Sequence, residues 1–366
     1  MEVPRAFLSH DVAHHGVRTY PRRMTATWES PALGAIPHDP RVLAEEVAAD
    51  LGLLSGSVIE VVRLHLEALD SALTLGVPEL LADQLRWQAV RLESANAPFG
   101  PEDVDKAVRE ALGPHLTPRE LAQVEELQNS AAVLGASGAH ADSLVALPSG
   151  PAHDYLAAAL AGHRDEAIAV VREAMMSEVS VADIMLGILQ PAQIELGRLW
   201  EAGEISIAHE HYTTAITQLA LSLLYPRLLL NRTLLGRSIV ATSVGSEAHE
   251  VGIRMISDLM EQAGWRTAYL GADVPHADVI ERVAQHRADV LAVSATMAGH
   301  IRGVRELVTM LRADPRCDGV RVLVGGRPFT INPQLADLVG ADGWAPGAAE
   351  ALEICRAWTE DRTRAR

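Results

Sequence analysis

Residues 238–252 read SIVATSVGSEAHEVG: three apolar residues (Ile239, Val240, Ala241), a polar turn, and the start of a helix near His249. A short apolar run bounded by turn residues reads as a strand buried on both faces, as in a parallel sheet. The same unit repeats along the chain. Strands are expected near 238–244, 266–271, 290–295, 320–325 and 342–345, with helices near 249–263, 276–287, 299–313, 331–340 and 347–361. Strict alternation predicts a doubly wound sheet of five parallel strands, covered by helices on both faces, over residues 238–361. In such sheets ligands sit beyond the carboxyl ends of the strands, where the polar turn lies.

That turn carries Glu247-x-His249-x-x-Gly252. An imidazole with a carboxylate two residues away has the makings of a metal ligand and the acid that holds its far nitrogen. After 41 intervening residues, Ser294-Ala295-Thr296 closes the third strand, and Gly325-Gly326 closes the fourth. Small and hydroxyl residues at three strand ends open a slot instead of filling it. The set resembles the cobalamin-binding domain, whose signature is Asp-x-His-x-x-Gly, then Ser-x-Thr or Ser-x-Val, then Gly-Gly. The resemblance implies that His249 is the lower axial ligand of cobalt. It also implies that Ser246, Glu247, Ala248, Glu250, Val251, Gly252, Ser294, Thr296, Gly325 and Gly326 hold the cofactor and its nucleotide tail. Glu247 stands where the family has Asp, and its light-sensing branch also uses Glu.

Upstream, residues 152–230 read as a four-helix bundle: two short helices (about 152–162 and 165–177) and two longer ones (about 181–202 and 206–229). Trp200 ends the third helix, and after nine residues Glu210 and His211 open the fourth. The trio resembles the cap of the adenosylcobalamin photoreceptors, implying a bundle that covers the upper cobalamin face. There Trp200 packs over the adenosyl group while Glu210 and His211 bond to it. The residue after the Trp, a histidine in the best-known members, is Glu201 here.

Residues 41–135 show helical periodicity throughout, giving an all-helical domain of five or so helices. It follows an irregular arm, 1–40, holding His10, His14, His15 and His38, and precedes a Gly/Ser/Ala/Pro-rich linker, 136–151. The segment LEALDSALTLGVPELLADQLRWQAVRLES resembles a module found ahead of cobalamin-binding domains in bacterial sensors. With the domain order, it suggests the photocobilins, which hold biliverdin beside cobalamin. Both cysteines, Cys317 and Cys355, lie in the C-terminal domain, so a bilin would be bound without a thioether. Arg63, His65, Arg86, Trp87 and Arg91 are the candidates to meet it.

Composition narrows the classes. The formal net charge is −17, which argues against non-specific nucleic-acid binding. The first residues lack the apolar core of a signal peptide, and no apolar run is long enough to span a bilayer; a soluble, cytoplasmic chain is expected. Lys106, the sole lysine, lies in a charged helix (EDVDKAVRE), which speaks against Schiff-base chemistry. The expectation is a photoreceptor, not an enzyme, that binds adenosylcobalamin. Light would drive a domain or quaternary change, read out through a homo-oligomer or a separate output protein. The alternative is a corrinoid methyl carrier of a cobalamin-dependent methyltransferase system.

Overall fold

The computed structural model describes residues 39–52, 56–94, 96–136, 148–230 and 232–364. The arm's histidines and most of the expected linker lie outside these residues. Five helices form the N-terminal domain: α1 (Pro40–Asp50), α2 (Gly56–Leu75), α3 (Pro78–Ser94), α4 (Pro101–Leu112) and α5 (Pro118–Ala136). Thr117 and Glu120 form a capping box at α5: the Glu120 amide donates to Thr117 Oγ1, and the Thr117 amide donates to Glu120 Oε2.

The bundle follows as α6 (Pro151–Leu160), α7 (Arg164–Met176), α8 (Val181–Ile184), α9 (Gln190–Glu201) and α10 (Ile207–Leu228). The expected third helix is present, but a π-helical turn at Met185–Leu189 divides it into α8 and α9. Pro191 at the start of α9 lacks an amide hydrogen, so the local ladder has one donor fewer.

The remainder runs β1 (Ser238–Ser243), α11 (Val251–Gln262), β2 (Arg266–Gly271), α12 (His276–His286), β3 (Val290–Ser294), α13 (Ile301–Ala313), β4 (Arg321–Gly325), α14 (Arg327–Ile331), α15 (Leu335–Leu338), β5 (Gly343–Ala345) and α16 (Ala348–Arg364). The strands are parallel in the order β2-β1-β3-β4-β5, the flavodoxin-like winding. Two expectations need correction. The first sheet helix begins at Val251, two residues past His249, because residues 244–250 are held as a loop. The helix expected over 331–340 is two short pieces, separated at Asn332-Pro333.

Period-two alternation sorts the strand residues between two cores. Ile239, Ala241, Val290, Ala292 and Leu323 face α11 and α16, around the buried Trp265. Val240, Leu291, Val293, Val322 and Val324 face the other way. That second core does not stop at α12 and α13; it continues without a break into Leu66, Leu69, Leu81 and Leu85 of the N-terminal domain. The core enclosed by the N-terminal helices is thus continuous with that of the sheet. The bundle has a third core, which takes in Met255 and Leu259 of α11. The layers therefore run N-terminal domain, sheet, bundle. Among the described residues, no helix is long and apolar enough to cross a membrane.

Candidate cobalamin site

Parallel register sets Ser243, Ser294, Gly325 and Ala345 side by side at the carboxyl edge of the sheet. Four small residues in one row leave an open floor there. Gly326, next in line, has φ +108°, and a Cβ on it would lie 2.0 Å from the Ala295 carbonyl oxygen. Glycine is required there by backbone packing. A Cβ on Gly252 would meet nothing within 4 Å, so that position leaves the floor open without being forced to.

The loop after β1 turns through Ser246, in the left-handed region at φ 69°, with its amide donating to Asp273 at 2.9 Å. This turn drives Glu247 inward, to 0% exposure. Its carboxylate receives five donors: the His249 amide (3.0 Å), His249 Nδ1 (2.5 Å), the Thr296 amide (2.7 Å), the Met297 amide (3.1 Å) and His300 Nδ1 (3.0 Å). Burial favours the neutral acid, but bonds from His249 and His300 outweigh it and hold the carboxyl well below the usual carboxylate range.

An ionised Glu247 accepts only, so both facing Nδ1 atoms carry hydrogen. His249 is therefore fixed with Nε2 outward, and half of its side chain (50%) is exposed at the mouth of the slot. Burial would lower its pKa; the Glu247 hydrogen bond and charge override that and raise it, helped by Glu210 and Glu201. Ser243 Oγ pins the turn by donating to the His249 carbonyl at 2.9 Å.

His249 supplies a single ligand atom. Among the described residues no cluster of three or more His, Cys, Asp or Glu is arranged around a metal ion, so a metal here must bring its other ligands with it. Cobalt in a corrin ring does so, and the free Nε2, its carboxylate-bonded Nδ1 and the open floor fit such a group.

The other expected residues fall into place unevenly. Ala248 is exposed in the turn, and Thr296 contributes its amide to Glu247. Glu250 turns toward the bundle, receiving Gln218 Nε2 at 2.9 Å and Tyr269 Oη at 2.8 Å, and Val251 packs into the bundle core. Those two join the layers. On the bundle side, Glu210 takes Thr214 Oγ1 at 2.8 Å and His211 Nδ1 at 2.6 Å, with the His211 side chain mostly exposed. Trp200 does not stand alone: its ring lies 5.7 Å from that of Trp87, tilted 34°, and the Arg91 guanidinium sits 5.1 Å from its centroid. Glu201 pairs with Arg327 at 3.1 Å, and Arg327 also holds Asp83 of α3 at 3.0 Å. Burial pushes the Glu201 carboxyl up, against the pull of Arg327.

The five bilin candidates are not brought into one cluster. Arg63 is paired with Glu60 and Glu67, and Arg86 with Asp83. His65 is fully buried between Gln88 and Asp105. Trp87 and Arg91 reach the junction with the bundle. Sequence reasoning missed His300, six residues past Ser294, whose signal was only a histidine following a strand-end Ser-x-Thr.

The B12 binding domain family matches residues 237–353, and a second B12 binding domain model matches 151–225. Dimethylamine corrinoid protein 3 of Methanosarcina acetivorans is 28% identical over 200 residues, 55% of this chain and 92% of that protein. The protein of the same name from Methanosarcina mazei is 33% identical over 114 residues, 31% of this chain and 67% of that protein. The structure of the Methanosarcina barkeri monomethylamine corrinoid protein shares the fold at 24% identity and TM-score 0.50, covering 55% of this chain and 94% of that one. These relatives stand nearer to the methyl-carrier alternative than to the photoreceptor expectation. With its strand-end motif, its helical partner and these relatives, the chain belongs to the cobalamin-binding proteins built on the B12 binding domain.

Proposed function

We propose that this chain is a cobalamin-dependent sensor that holds adenosylcobalamin between bundle and sheet, with His249 below cobalt and Trp200 and Glu210 above it. One observation carries the reading: the helix end bearing the cap residues is engaged by the added N-terminal domain. Trp87 and Arg91 pack on Trp200, and Arg327 ties Asp83 to Glu201. A carrier must offer its upper face to partner enzymes in turn, whereas here part of the cap is fastened to the chain's own helices. When bound, adenosylcobalamin supplies a light-labile cobalt–carbon bond. The residues do the rest: Trp200 offers a flat stacking surface, Glu210 an oxygen acceptor for hydroxyls, and Trp87 and Arg91 register any shift of the indole. The output would be a changed quaternary contact or a separate partner. A bilin is left out of the proposal, because Arg63, His65 and Arg86 are already engaged within their own domain.

The relatives favour a second reading, a corrinoid methyl carrier, since the match spans 92% of a dimethylamine corrinoid protein. On the relatives alone that reading stands ahead. The two separate in one experiment: affinities for adenosyl- and methylcobalamin, with absorbance and elution volume measured before and after green light. The sensor reading expects adenosylcobalamin to be preferred by about tenfold or more, which Trp200→Ala abolishes, and an elution change on illumination. Equal affinities and an unchanged elution volume would hand the chain to the carrier class.

A further inference from the structure

Helix α2 lies along the segment that follows β3. A Cβ on Gly299 would stand 2.6 Å from the Cβ of Glu67. Ser71 Oγ donates to the Gly299 carbonyl at 2.7 Å and accepts the Arg302 amide at 3.3 Å. Arg302 pairs with Asp70 at 2.6 Å, and Arg305 donates to the Thr74 carbonyl at 3.0 Å. Residues 67–74 therefore track 299–305, the stretch that begins beside His300.

Within this contact Glu67 is divided. Its Oε1 is held by Arg63 Nη1 at 2.5 Å. Its Oε2 is buried, lacks a hydrogen-bond partner among the described residues, and faces His300 Nε2 at 4.0 Å. His300 donates its other nitrogen to Glu247, which holds His249. Carboxylate and imidazole alternate from the N-terminal domain to the nitrogen that meets cobalt: Glu67, His300, Glu247, His249. Three of the four come from the sheet domain. Glu67 lies outside both stretches that match the B12 binding domain, so this link belongs to the added domain.

We propose that Glu67 is a positioning residue for His249, acting through His300 and Glu247, so that docking of the N-terminal domain sets how firmly the imidazole is presented to cobalt. The proposal rests on His249 being the lower ligand. An imidazole bonded at one nitrogen still swings about that bond; a carboxylate at its opposite edge fixes the ring plane, and the 4.0 Å gap is one that a single water or a small rotamer shift closes. With His300 fixed, Glu247 keeps all its donors and His249 keeps one orientation.

The test uses the full chain loaded with methylcobalamin at matched occupancy, reading the ratio of His-on to base-off absorbance at one pH. Loss of a direct outer partner of a metal ligand costs about 10- to 100-fold. Two steps further out, Glu67→Gln is expected to lower the ratio about 3- to 10-fold. Combined with His300→Gln it should add nothing, since both act on one path. Asp70→Asn, which cuts the neighbouring contact but not the chain of four, should match wild type. The proposal is overturned by a wild-type ratio in Glu67→Gln, by additive effects in the double variant, or by an equal shift in Asp70→Asn. His249→Ala is the control. If it keeps the His-on spectrum, the ligand assignment itself fails; if it loses that spectrum while Glu67→Gln does not, only the proposal falls.

Discussion

A carboxylate with five donors and no solvent contact is the centre of the site. Glu247→Gln keeps the shape, but its amide nitrogen cannot accept, so some donors of His249, His300, Thr296 and Met297 are left facing an NH₂ group. Cobalamin affinity should fall about 10- to 100-fold, measured by titration of the apoprotein; an unchanged affinity would remove Glu247 from the site. The pH dependence follows from the same pair. His249 has its folded pKa raised above the ordinary value near 6.5, and its second proton would occupy Nε2, the atom proposed to meet cobalt. Affinity should therefore rise as pH rises through a range above about 6.5, and His249→Ala should flatten that rise. For the apoprotein the signs differ. The raised His249 contributes stability that is present below the unfolded value and lost as pH rises through the folded one. The depressed Glu247 contributes stability that is present above the unfolded carboxylate value and lost as pH falls through the folded one.

Elements were legible where local pattern determines them. All five strands fall within a residue or two of their expected bounds, because a parallel strand buried on both faces is an apolar run between turns. Less legible was whatever depends on packing. The 244–250 loop delays α11 because Glu247 is drawn inward by donors some fifty positions away, which no window over the turn contains. The sequence reads Thr296 as a cofactor contact; the structure adds that its amide donates to Glu247. Gly326 was read as slot lining; the structure adds that Ala295 fills the space a Cβ would need. That contact gives a prediction free of any cofactor. Gly326→Ala combines a left-handed φ with a clash against backbone, and should destabilise the apoprotein by at least about 2 kcal/mol. Gly252→Ala, with nothing near its Cβ, should leave thermal unfolding within about 1 kcal/mol of wild type while testing the floor of the slot. Equal losses at both positions would contradict this reading.

In the whole molecule, packing adds what periodicity does not carry. A linker-like stretch between two periodic blocks reads as a domain boundary and says nothing of how the flanking faces pack. Whether two apolar faces meet depends on pairs such as Ser71 with Gly299, 228 positions apart, and periodicity carries no such information. Here the faces do meet: one core runs from Leu66 and Leu81 through Ile301 and Leu307 to Val322. Residues that share a core unfold together, so the N-terminal domain and the sheet should melt in a single transition. Tryptophan fluorescence can follow both partners, Trp87 at the N-terminal junction and Trp265 in the core against the sheet, each isolated by replacing the other tryptophans with Phe. A wedge at the contact then tests the coupling. Gly299→Val forces a side chain against the backbone and Cβ of Glu67, where even the first carbon would stand 2.6 Å from that Cβ, and α2 must move away. The Trp87 transition is expected to shift to lower temperature and part from that of Trp265. Coincident transitions in the variant, or two separate ones in the parent chain, would show that the shared core does not bind the layers into one cooperative unit.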